Sequence, residues 1–112
     1  MNPAKLRIQL SHSEQFLLQL MKELRYGKIE GLAICDGEPV IEPTTKVLRD
    51  VKLFSDPEKT LIIPDRDYRD KVQVTEMLRQ FHRLHYGIVE TLEVHNGLPF
   101  RMQIVQMIRA VV

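Results

Sequence analysis

The sequence has little of what usually announces chemistry. It holds one cysteine, Cys35, and no tryptophan in 112 residues, and its aromatic fraction is 6%. A single cysteine forms no intrachain disulfide, which fits a reducing compartment and leads us to expect a cytoplasmic protein. No window approaches the roughly 20 apolar residues of a membrane span. The opening residues, Met1 to Arg7, carry no apolar signal-peptide core, so neither a leader nor a membrane is expected. Charge of one sign is scarce too. Lys and Arg number 16 against 15 Asp and Glu, a net charge of +1, which argues against a strongly electrostatic nucleic-acid binder. There is no Walker loop, dinucleotide fingerprint or zinc-finger spacing, so no cofactor and no metal site is expected.

What is present is a globular composition, 44% apolar and 28% charged. One domain spanning 1–112 is the simplest reading of that length. Within it the chain repeats itself. Slid by 60 positions, residues 14–52 lie over 74–112 without a gap. Identical pairs are Leu18/Leu78, Leu24/Leu84, Tyr26/Tyr86, Gly27/Gly87, Glu30/Glu90, Leu32/Leu92, Gly37/Gly97, Pro39/Pro99, Arg49/Arg109 and Val51/Val111. That is ten of 39, where background composition gives about 2 or 3. We read a tandem duplication: unit one at 11–53, a linker at 54–70 and unit two at 71–112.

Each unit reads as helix, strand, turn, strand. Ser11 and Glu14 form a capping-box pattern before an apolar face of Leu17, Leu18, Met21 and Leu24. The matching face is Val74, Met77, Leu78, Phe81 and Leu84. Gly27 and Gly87 are expected as left-handed C-caps. Strands at 28–35 and 88–95 follow, then Asp36-Gly37 and Asn96-Gly97, the pairs that favour type I′ turns. Return strands are expected at 38–42 and 98–104. Residues 46–53 and 104–112 fit strand or helix, and their β-branched content favours strand. The linker holds one short apolar run, Leu61-Ile62-Ile63, a candidate extra strand. The fold class is α+β: two pseudo-symmetric αββ repeats, antiparallel hairpins with helices packed on one face.

A helix ending in Leu24-Arg25-Tyr26-Gly27, a strand, Asp36-Gly37 and a basic return segment Lys46-Val47-Leu48-Arg49 resembles the YezD-like family of small bacterial proteins. Members are about one such unit long. The resemblance implies a bacterial origin and a small α/β unit, and no activity. Unit two departs from the pattern at Asn96 and at Leu98-Pro99-Phe100.

No catalytic residue emerges, and the expectation is a binding or assembly protein rather than an enzyme. Phe16 and Leu20 on the first helix stand where the second has Glu76 and Gln80. This surplus apolar face should be covered by the linker or by another protein, most simply a second copy. Nucleic acid is the alternative partner, met by the basic stripe Arg79, His82, Arg83 and His85. His82 and His85 lie three apart, but no further ligand follows at metal spacing. A small-molecule site between the units would use Tyr26, Glu30, Arg49, Tyr86, Glu90 and Arg109. Strand parity puts Glu30 with Leu32 and Glu90 with Leu92, so structural pairing with Arg49 and Arg109 is favoured over a carboxylate pair. A Cys35–His95 dyad would need the two brought together.

Overall fold

The computed structural model describes residues 10–53, 68 and 71–106. Helix α1 (His12–Leu24) and strands β1 (Gly27–Cys35), β2 (Glu38–Val40) and β3 (Lys46–Arg49) precede helix α2 (Val72–Leu84) and strands β4 (Gly87–His95) and β5 (Leu98–Val105). The expected Leu61–Ile63 strand and residues 107–112, Arg109 among them, lie outside the described residues. No described helix is long and apolar enough to cross a membrane.

The strands form one antiparallel sheet in the order β2-β1-β4-β5, with β3 also on β1. β2 pairs with the end of β1, Ala33 to Cys35, and β3 with its start, Gly27 to Glu30. β1 and β4 pair centrally, Gly27 opposite Val94 and Ile34 opposite Gly87. Both helices pack on one face. Leu17, Met21, Leu24, Val74, Met77 and Phe81 from the helices meet Ile29, Leu32, Ile34, Val89, Leu92 and Val94 from the sheet.

The local signals explain these elements. The Ser11 side chain accepts from the Glu14 N–H at 3.2 Å, and Glu14 Oε1 accepts from the Ser11 N–H at 3.0 Å. Asp36-Gly37 and Asn96-Gly97 all have positive φ, as a type I′ turn demands. The helix ends differ from expectation. Gly27 and Gly87 are the first residues of β1 and β4. The C-caps are Arg25 (φ 69°, ψ −63°) and His85 (φ 68°, ψ −64°). The Tyr26 N–H bonds the Leu24 carbonyl at 2.8 Å and the Tyr86 N–H the Leu84 carbonyl at 2.7 Å, so each cap centres a tight γ-turn of the strained, positive-φ kind. What holds each cap is the opposite hairpin. Gly37 N–H donates to His85 O and Gly97 N–H to Arg25 O, both at 2.8 Å. Helix carbonyls that would otherwise be orphaned are satisfied this way.

Strand parity also shifts. Gly31 has φ 72° and interrupts the alternation of β1, so Ile29, Leu32 and Ile34 are buried while Glu30 turns to the open face. Thr45 Oγ1 donates to the Gly31 carbonyl at 3.0 Å, at the point where the alternation breaks. β4 breaks register between Val89 and Thr91, and Glu90 is likewise exposed. The expected sharing of a face by Glu30 with Leu32, and by Glu90 with Leu92, is therefore corrected. Ile29 lies opposite Val47 in β3, and Val89 lies opposite Ile104 in β5.

Candidate interaction face

α1 packs by residues centred on Leu17, Met21 and Leu24. The ridge opposite carries His12, Phe16, Gln19 and Glu23, all exposed. Phe16 is 59% exposed, the large apolar side chain that α1 gives to solvent. Leu20 lies on the flank and packs, partly buried, against the core. α1 is buried over a wider arc than α2, through Glu14 and Leu18 and not through Phe16. Phe16, with His12 and Gln19 of the same ridge, lines a hollow of about 340 Å³ whose other walls are Leu10, Gln15, Leu18, Lys22 and Tyr68.

Tyr68 is the residue that sequence reasoning missed. It is 2% exposed, its hydroxyl donates to the Gly97 carbonyl at 2.7 Å, and the Lys22 ammonium lies 5.4 Å from its ring centre. An aromatic among charged linker residues was the available signal. Tyr68→Phe should lower stability by about 1–3 kcal/mol, since it strips a buried carbonyl of its donor. Burial also pushes the Tyr68 phenol above its ordinary value. The folded state thus favours the neutral form. The associated stability is complete below pH ~10 and falls as pH rises beyond it. Urea titrations at pH 8 and above 10 should show wild type losing stability in alkali and Tyr68→Phe losing less; equal losses would contradict this role.

The basic stripe of α2 is largely spoken for. Arg79 approaches Glu76 at 3.7 Å, and His85 Nδ1 lies 3.7 Å from Asp36. His82 Nε2 reaches Glu14 Oε2 at 3.1 Å, tying the end of α2 to the start of α1. Glu14 is the buried charged residue of the described core, and its second oxygen serves the cap. Arg83 is exposed.

Of the residues assigned to a site between the units, the five that are described, Tyr26, Glu30, Arg49, Tyr86 and Glu90, do not all converge. Glu30 and Glu90 line one open-face depression of about 440 Å³ with Lys46, Thr44 and Thr91. Arg49 is not the partner of Glu30. Its Nη1 donates to the Glu23 carbonyl at 3.4 Å, and Lys46 is the residue opposite Glu30. Tyr26 sits against His95, ring centres 6.2 Å apart, and Tyr86 against His85 at 5.7 Å. The register of β1 on β4 puts the tyrosines at opposite ends of the sheet, and separates Cys35 from His95 in the same way. Among the described residues no three His, Cys, Asp or Glu are placed to hold a metal.

No family model, curated protein or solved structure matches this chain. The reading of its surfaces therefore rests on their own chemistry. The open sheet face is mixed. Val40, Ala33, Ile88 and Val105 make an apolar row across the strands. Further along β4 and β5, Arg101 pairs with Glu93 at 2.7 Å, and that guanidinium holds the Glu93 carboxyl below its ordinary value. A solvated antiparallel face has this character. The α1 ridge carries one large apolar side chain, Phe16, at the rim of its hollow.

Proposed function

We propose that the chain is a non-catalytic assembly module that binds a second copy of itself through the exposed face of α1. The observation that carries this is Phe16, more than half exposed, at the rim of the hollow formed with Tyr68. A symmetric interface uses one patch twice, so it needs a projection and a recess on the same patch. Phe16 and the hollow supply both. The second helix supports the same reading by contrast. At the matching place Glu76 binds Gln80 and Arg79 in a solvated network.

Two further elements belong to this reading. The chain arose by duplication of an αββ unit, resembling the YezD-like unit of bacterial proteins. In support, exchanging the units turns the pair Gly27–Val94 into the pair Gly87–Ile34, and the Gly37–His85 bond into the Gly97–Arg25 bond. The setting is a reducing cytoplasm, for which the single cysteine is the argument.

Replacing Phe16 by Glu and Leu20 by Gln, the residues of the second helix, should give a folded monomer. Each lost Phe contact removes about 1.5–3 kcal/mol of apolar burial. Light scattering behind size exclusion reads the mass directly, and circular dichroism confirms the fold. A double variant that keeps the wild-type dimer would contradict the assignment. Added mass of a nucleic acid or small molecule in native mass spectrometry would also overturn it, in favour of α2 or the Glu30–Glu90 depression.

A further inference from the structure

We infer that the two copies pack α1 against α1 antiparallel, with His12 of each facing Glu23 of the other. This rests on the reading of α1 as the self-association face and adds its register. His12, Phe16, Gln19 and Glu23 are spaced four, three and four apart. At 3.6 residues per turn they fall within a stripe about 60° wide along one helix. All four are exposed, and the stripe points away from the buried face at Leu17, Met21 and Leu24.

This spacing is the seam of a two-helix pair. Read in the antiparallel sense it is complementary to itself. His12 meets Glu23 at each end, and Phe16 meets Gln19 twice in the middle. Read in parallel, Glu23 would face Glu23 and His12 would face His12. An imidazole donates to a carboxylate whether neutral or protonated, so the antiparallel ends are satisfied in either form. Gln19 Nε2 donates to Glu23 Oε2 at 2.9 Å and holds that carboxylate on the ridge. The antiparallel arrangement also sets the helix dipoles head to tail. The seam is confined to one 13-residue helix about 20 Å long, so it should bury less than the roughly 1,200 Å² at the low end of standard interfaces, and the dimer should be weak and concentration-dependent.

Charge exchange tests the register without disturbing the helix. His12→Glu places an acid in the first turn and Glu23→Lys a base in the last, both favoured by the dipole, so neither should unfold α1. Sedimentation velocity across a concentration series of the full chain is the readout. His12→Glu turns two end pairs from attraction to repulsion and should weaken the dimer about tenfold. Adding Glu23→Lys to that variant should return the dissociation constant to near wild type. Ile88→Lys, on the open sheet face, should leave it unchanged. A dimer indifferent to His12→Glu, or one that the second substitution does not rescue, overturns the register while leaving self-association standing. A dimer dissolved by Ile88→Lys moves the interface to the sheet and overturns the inference. A wild type that stays monomeric at every concentration removes the underlying reading and the register with it.

Discussion

Gly27→Ala should destabilise the protein by at least about 3 kcal/mol, whereas Gly87→Ala should stay within about 1 kcal/mol. The two glycines are identical in the aligned units, but their surroundings differ. A Cβ on Gly27 would collide with the Leu48 carbonyl oxygen and come within 3.1 Å of the Arg49 Cα. Both obstacles are backbone of β3, which pairs with β1 at this point. Relief would require β3 to leave the sheet. A Cβ on Gly87 would meet side-chain carbons of Leu84 at 3.0 and 3.1 Å, and a leucine can rotate away. Chemical denaturation of the two variants decides the matter. Equal effects would show that β3 does not pack on Gly27 as described.

Phe81→Ala is the second large effect, about 3–5 kcal/mol, the range for deleting a buried aromatic ring. Phe81 is fully buried, in the last turn of α2. Its carbonyl accepts the N–H of the His85 cap at 3.0 Å, and the tip of the β1–β2 hairpin lies over the same turn. The lost ring therefore leaves a cavity beneath the junction where Gly37 holds a strained cap. Strain of this kind persists only while its surroundings enforce it. Amide exchange at Gly37 should accelerate in this variant more than at Gly97, whose partner cap is on α1. Uniform acceleration would mean that the two junctions open together.

What the sequence made legible was local. The capping box at Ser11, the apolar faces of both helices and the Asp36-Gly37 and Asn96-Gly97 turns depend on neighbours within a few residues, and the structure has them all. The break in alternation at Gly31 was hidden because strict alternation is the default for a strand, and one irregular residue reverses every side chain beyond it. A glycine inside β1 was the hint; Thr91 in β4 gave none. The division of the return segment into β2 and β3 depends on the loop that Thr45 anchors to Gly31, a contact across fourteen residues. The γ-turn caps at Arg25 and His85 are fixed by hairpin tips remote in sequence, so no local propensity points to them.

The candidate face was half legible. Phe16 stood out because the aligned position is Glu76, and it is exposed. Leu20 stood out for the same reason, but its place on the flank lets the core take it. The hollow depends on Tyr68, whose burial is set by a hydroxyl bond to Gly97, 29 residues away. Glu30 and Glu90 share a depression because the central strands pair about their midpoint, and the arginines expected to neutralise them are elsewhere engaged or outside the described residues.

The most direct test of the central claim is sedimentation velocity of the untagged wild-type chain beside its Phe16→Glu, Leu20→Gln variant over the same concentrations. Wild type should move from monomer toward twice that mass as concentration rises, and the variant should remain a folded monomer throughout. A wild type that shows only monomer, or a variant that associates as well as wild type, would contradict the assignment of α1 as the interface.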